Sequence, residues 1–227
     1  MWIYEQKEKE SIRIIKESYA KYGRGLYALS SFGADAGLLL SLIAKSGARI
    51  PVITIDTGFL FPETHLYKYT LKNKFGFKLI TYGPYQDEIE QIAFDRLWEK
   101  DLKTYHQTVK LEPLKRAVSE LGVQALIQGV RADQTRARSS LDIVEEGQYG
   151  EERIHPVLEW RKDQVDNYLV NEKIPRNLLV YEGYDSIGDW TTTVPGLGRA
   201  GRQLGISKGC GLVVGEGGNL VPEKVLQ

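Results

Sequence analysis

One cysteine occurs in the 227 residues, Cys210, and its neighbours are those a reactive thiol would use. It lies in Ser207-Lys208-Gly209-Cys210-Gly211-Leu212, between two glycines and two residues after a lysine. A thiol attacks as its thiolate, and nearby positive charge lowers its pKa. Flanking glycines remove steric cover and free the backbone. A lone cysteine is commonly a small buried apolar residue, but Gly, Lys and Ser are not a core pattern. Arg199, Arg202 and Lys208 bring three cations to the same segment. A thiol that travels with its own cations suits attack beside an anionic ligand. The charge draws the substrate in, activates the thiol and stabilises the leaving anion.

Four other segments carry residues fit for binding. Ser30-Ser31-Phe32-Gly33-Ala34-Asp35 joins a short apolar run to a helix-like stretch. Small hydroxyl residues and a glycine there let backbone N–H groups and a helix N-terminus face an anion. An ordinary turn with a serine cap fits the same residues. The segment is neither a Walker loop nor a dinucleotide fingerprint. Asp56-Thr57-Gly58-Phe59-Leu60-Phe61-Pro62-Glu63 follows a second apolar run. Asp56 could bond a ribose or base, or cap a turn. Phe59 and Phe61, placed at a strand end, suggest a flat ligand. Arg131, Arg136 and Arg138 lie together in Arg131–Ser140. Arginine forks bind phosphate and sulfate bidentately. The alternative is a solvated helix whose arginines pair with Asp133 and Asp142. His155 precedes Pro156 at what reads as the end of a further strand. His65 and His106 offer no spacing that makes a metal site with it.

Alternating strands and helices must position these segments. Leu26–Ser30, Ile50–Ile55, Phe77–Thr81 and Gln124–Val130 read as buried strands. Helices are expected over roughly the first twenty residues and over 37–44, 62–75, 86–98, 112–121 and 161–171. The pattern implies α/β: an open, mostly parallel twisted sheet with helices on both faces. Ligands in such sheets bind beyond the C-terminal strand ends, at the switch point. Ten of the 23 glycines lie between Gly188 and Gly218. We therefore expect a sheet domain over 1–194 and a Gly-rich C-terminal tail, mobile and lid-like, over 195–227.

The totals narrow the classes. Thirty basic residues balance thirty acidic ones, so no global field argues for nucleic acid or a membrane surface. No apolar run reaches bilayer length, and the charged N-terminus carries no signal-peptide pattern. One cysteine allows no internal disulfide and no four-thiolate cluster within one chain. A reducing cytoplasm is the expected compartment.

These segments, in this order, resemble the phosphoadenylyl-sulfate (PAPS) reductase family, of the adenine-nucleotide α-hydrolase-like fold. The resemblance covers roughly residues 20–213. It rests on Ser30-Ser31-Phe32-Gly33, Ile55-Asp56-Thr57-Gly58-Phe59-Leu60-Phe61-Pro62-Glu63-Thr64, Leu97-Trp98-Glu99 and Lys110-Leu111-Glu112-Pro113-Leu114-Lys115-Arg116-Ala117. It continues through Gly129-Val130-Arg131-Ala132-Asp133-Gln134, His155-Pro156-Val157-Leu158-Glu159-Trp160, Gly183–Thr193 and Lys208-Gly209-Cys210-Gly211-Leu212. It implies a thiolate, on Cys210, that attacks the sulfur of a sulfonucleotide to give an S-sulfocysteine. Thioredoxin or glutaredoxin would then release sulfite, in sulfate assimilation and cysteine biosynthesis. Ser30, Ser31, Phe32 and Gly33 would hold the phosphosulfate end, with Asp56 and Thr57 lining the nucleotide site. Arg131, Arg136, Arg199 and Arg202 are candidates for the anionic groups, with His155 and Lys208 further binding candidates. No metal or iron–sulfur cluster is expected, and the resemblance allows a homodimer. Gly209 and Val213 stand where the family usually has Glu and His. The missing cluster thiols favour the 3'-phosphorylated substrate. A cluster-free adenylyl-sulfate reductase, an ATP-using sulfur transferase and a nucleotide-binding protein of the same fold stay open.

Overall fold

Runs only four residues long and rich in Leu, Val and Ile form four parallel strands, three inner and one at the edge, each bounded by glycine, proline or serine. They are β1 (Leu26–Leu29), β2 (Val52–Ile55), β3 (Leu79–Tyr82) and β4 (Ala125–Gln128). The computed structural model describes residues 4–202 and the backbone of 212–214 and 220–222. Two further strands, β5 (Val144–Glu146) and β6 (Glu152–Ile154), complete a six-stranded sheet in the order β3-β2-β1-β4-β6-β5. Every pairing is parallel except β5 with β6. A separate antiparallel pair joins β7 (Leu212–Val214) to β8 (Leu220–Pro222).

Helices cover both faces, as parallel strands require. On one face Ile14 and Ile15 of α1 (Glu5–Tyr22), Leu38 and Leu42 of α2 (Ala36–Ser46), and Tyr168 and Leu169 of α8 (Lys162–Asn171) share a core with Leu26, Val52 and Ile127. On the other, Leu114, Ala117 and Val118 of α7 (Glu112–Leu121) pack on Ile53 and Leu126. The chain steps from β1 out to β3, then returns to place β4 on the opposite side of β1. The loops after β1 and β4 diverge there and leave a crevice at the strand ends.

α3 spans Pro62–Phe75, as the sequence indicates: proline fits the first turn, and Gly76 closes the helix at φ 70°. The helix expected over 86–98 is two. Arg96 adopts φ 49° and divides α4 (Gln86–Asp95) from α5 (Leu97–Lys100). Beyond the expectations, α6 (Leu102–His106) runs through a π turn (Gln107–Leu111) directly into α7. Pro113 has no N–H for the preceding turn, and the widened turn sits immediately before it. β5 is a short edge strand with two of its three residues exposed and a single apolar residue, so alternation gives no signal for it. Phe59 and Phe61 are not waiting for a flat ligand. Phe59 is buried among Trp98, Tyr105 and Trp190, and Phe61 meets Tyr184 edge-on.

Candidate active site

A cleft of about 360 Å³ opens at the crevice between the β1 and β4 loops. Ser30, Ser31, Gly33 and Asp35 form one wall, and Gln128, Gly129, Val130, Gln134 and Arg138 form another. His106 and Lys110, from the α6–π segment, close a third side. Asp185, Ser186, Arg199 and Arg202 close the last. The β1 loop is pinned from below. Phe32 takes φ 51°, buries its ring against Phe77, and donates its backbone N–H to Ser30 Oγ at 3.2 Å. That turn delivers the first residues of α2 to the cleft, where the positive end of the helix dipole favours an anion, although the N–H groups of Ala36, Gly37 and Leu38 are bonded to Gly33 O, the Tyr67 hydroxyl and Asp35 O.

A carboxylate at this mouth would repel an anion, and the fold neutralises it. Asp35 accepts from Arg131 Nη1 at 2.6 Å, Lys162 Nζ at 3.0 Å and Arg176 Nη2 at 3.3 Å. Burial alone would raise its pKa, but the Arg131 and Lys162 charges override that and hold it below the usual carboxylate range.

A second carboxylate organises the far side. Asp189 is fully buried and accepts from Thr57 Oγ1 at 2.8 Å and from the Tyr105 hydroxyl at 3.0 Å. Lys110 Nζ lies 2.7 Å from its Oδ2. Burial opposes this carboxylate's charge, yet Lys110, Thr57 and Arg202 keep its pKa low. The Arg202 guanidinium lies against Gly188, where an added Cβ would meet Nη1 at 2.2 Å. Burial first, then the Lys110 charge, push the His106 imidazole down to about 3. It is therefore neutral at physiological pH, and its Nδ1 has no hydrogen-bond partner among the described residues.

The structure brings five of the sequence candidates to this cleft: Ser30, Ser31, Gly33, Arg199 and Arg202. Others lie elsewhere. Phe32 supports the loop from the core. Asp56 accepts from Gly58 N at 3.2 Å and faces Lys68 Nζ at 3.4 Å, and Thr57 is committed to Asp189. Arg131 is buried as an internal tie between Asp35 and Asp133, because those carboxylates meet it beneath the loop. Arg136 is exposed and off the cleft. His155 is buried beside a different groove, between α1 and the end of β6. Burial, then the Arg153 and Arg138 charges, push it down to about 4. Lys208 and Cys210 lie outside the described residues.

Part of the expected tail belongs to the site wall. Gly196 donates to Gly183 O at 2.9 Å, Val194 to Gly201 O at 2.7 Å, and Gly198 to Asp185 Oδ2 at 2.9 Å. These bonds hold residues 194–201 against the 183–185 turn and carry Arg199 and Arg202 to the cleft. The boundary drawn at 194/195 therefore cuts through a hydrogen-bonded unit.

Arg138, of the arginine segment read as an anion site, also lines the cleft, whereas the sequence gives no binding role to Lys110, His106 or Asp189. Lys110 and Asp189 do sit inside the quoted Lys110–Ala117 and Gly183–Thr193 blocks. That was the available signal.

A mostly parallel sheet with a cationic cleft at its switch point defines an α/β protein built to bind an anionic ligand. A family model described as the phosphoadenosine phosphosulfate reductase domain matches residues 25–195. The phosphoadenosine 5'-phosphosulfate reductase of a Synechococcus species is 34% identical, over 90% of this chain and 92% of its own. That of Thiocapsa roseopersicina is 35% identical, over 81% of this chain and 80% of its own. The PAPS reductase of Candida auris, solved as a phosphate complex, superposes with a TM-score of 0.72 at 30% identity, covering 82% of this chain and 90% of that one. FMN adenylyltransferase of Candida glabrata, 17% identical with a TM-score of 0.65, shares the fold alone. The chain belongs to the phosphoadenosine phosphosulfate reductase family.

Proposed function

We propose that this chain reduces 3'-phosphoadenylyl sulfate to sulfite and adenosine 3',5'-bisphosphate, with Cys210 as nucleophile. The observation that carries the reading is the cleft: Lys110, Arg138, Arg199 and Arg202 converge where the β1 loop offers serines and a helix N-terminus. Asp35, the carboxylate at its mouth, is already paired with cations. Such a site suits a ligand with several anionic oxygens.

The Cys210 thiolate attacks the sulfur of the sulfonate. A sulfur–sulfur bond forms and the sulfur–oxygen bond to the 5'-phosphate breaks. The electron pair stays on that oxygen, and adenosine 3',5'-bisphosphate leaves. Cationic groups at the cleft stabilise the developing phosphate charge. The enzyme is left with an S-sulfocysteine. An external dithiol, thioredoxin or glutaredoxin, then attacks the Cys210 sulfur and sulfite departs. The second thiol of the pair closes to a disulfide and restores the thiolate. Two electrons from the dithiol take sulfur from the sulfate to the sulfite level. One cysteine per chain supplies no internal resolving thiol, so the reductant must come from outside, in a reducing cytoplasm. Attack needs the Cys210 thiolate at the sulfonate sulfur, and release needs the external dithiol at the Cys210 sulfur. No metal or cluster takes part in these steps.

The test is sulfite release with thioredoxin on the 3'-phosphorylated and the unphosphorylated sulfonucleotide side by side. Turnover of the first alone is expected. Turnover of the second alone assigns the adenylyl-sulfate reaction instead. ATP cleavage to AMP and pyrophosphate with no sulfite would reject reduction.

A further inference from the structure

Lys110 enters the cleft in surroundings that disfavour its charge. Its side chain is largely covered, with 23% exposed. Tyr105 and His106 face it from its own helical segment, and Arg199 and Arg202 face it from the turn at 199–202. His106 is neutral, and the two arginines repel a further cation. Among the described residues, Asp189, from the 183–193 loop, acts the other way. Its Oδ2 lies 2.7 Å from Nζ, and it also accepts from Thr57 and Tyr105. Tyr105 is fixed in turn by Thr191 Oγ1 at 3.0 Å. Three side chains from two segments, the loop after β2 and the α6–π stretch, therefore converge on one buried carboxylate, and only Lys110 of the three also lines the cleft.

We propose that Asp189 is a positioning residue that keeps Lys110 in the cleft as a charged ammonium, available to the anionic end of the ligand. The proposal rests on the nucleotide reading above for the ligand, but not for the charge on Lys110. Burial, followed by Arg202 and Arg199, pushes the lysine's proton affinity down, and Asp189 pushes it up. Asp189→Asn keeps the shape and the acceptor for Thr57 while deleting the opposing charge. The balance then tips toward neutral Lys110 at physiological pH.

Two readouts separate this role from a structural one. In the ligand-free protein, competitive amine labelling read by peptide mass spectrometry follows the pH at which Lys110 becomes reactive. In D189N that midpoint falls by about one unit or more, from the loss of an adjacent opposite charge. Lys74, on the surface of α3, serves as the internal standard and does not move. Thr57→Val removes a bond to Asp189 but no charge, and leaves the midpoint in place. Affinity for adenosine 3',5'-bisphosphate gives the second readout. D189N binds close to wild type at about pH 6 and at least ~10-fold more weakly at about pH 8.5. An unmoved Lys110 midpoint, or equal weakening at both pH values, overturns the proposal. A shifted midpoint in a protein that binds no nucleotide upholds Asp189 and rejects the nucleotide reading. Should D189N not fold, Arg202→Gln supplies the converse test. With one opposing cation removed the Lys110 midpoint must rise, and a midpoint that stays put overturns the proposal.

Discussion

Gly188→Ala should separate nucleotide binding from stability. A Cβ at 188 would meet Arg202 Nη1 at 2.2 Å, Cζ at 2.4 Å and Nη2 at 2.6 Å. No carbon tolerates such contacts, so something must move. The obstruction is the end of a flexible side chain, so the arginine yields and the backbone stays. The stability cost should therefore remain below about 1 kcal/mol. Arg202 leaves the cleft wall, however. Burial, then the Arg199 charge, push its pKa down to about 10, so it is still a cation at neutral pH. Its charge-assisted bonds to a phosphate are worth about 1.5–3 kcal/mol, or roughly 10- to 150-fold in affinity. Calorimetric titration with adenosine 3',5'-bisphosphate measures the loss, and a thermal melt measures the stability. Gly201→Ala is the contrast. There a Cβ would lie 2.0 Å from the Val194 carbonyl oxygen, a backbone atom that cannot swing away, so stability and binding should fall together. Unchanged affinity in Gly188→Ala would refute the placing of Arg202 on the ligand.

Three arginines near the β4 loop should behave differently. Arg131→Ala breaks a buried tie and should cost about 2–4 kcal/mol of stability by denaturant titration. Arg138→Ala should weaken nucleotide binding about 10-fold at nearly constant stability, and Arg136→Ala should change neither. His155 predicts an acid limb in the stability profile. Its folded pKa, about 4, lies below the unfolded value of about 6.5, so the unfolded state binds more protons between those values. The stability it contributes is complete above about pH 6.5 and falls by up to ~3 kcal/mol as pH drops toward 4. Denaturation of wild type and His155→Gln across that range should show the shallower slope in the variant.

How far these features could be read in advance depended on where their partners lie in the chain. The inner strands and α3 were legible because apolar runs and their Gly or Pro boundaries are local. The β1 loop was legible because a strand, small hydroxyl residues and a helix follow one another. Which arginine of 131–138 faces the ligand was not. Arg131 is claimed by Asp35, 96 positions away, and short 3₁₀ turns at 132–134 and 138–140 reorient the others. Asp189 had no signal of its own. Its meaning comes from Thr57, in the loop after β2, and from Tyr105 and Lys110, on the α6–π stretch, all of them distant in sequence.

The most direct test of the central claim omits the reductant. The full chain is mixed with 3'-phosphoadenylyl sulfate alone, quenched, and examined by peptide mass spectrometry while nucleotide is quantified. The account predicts one sulfonate on Cys210 and about one adenosine 3',5'-bisphosphate released per chain. An unmodified Cys210 alongside released nucleotide would contradict it.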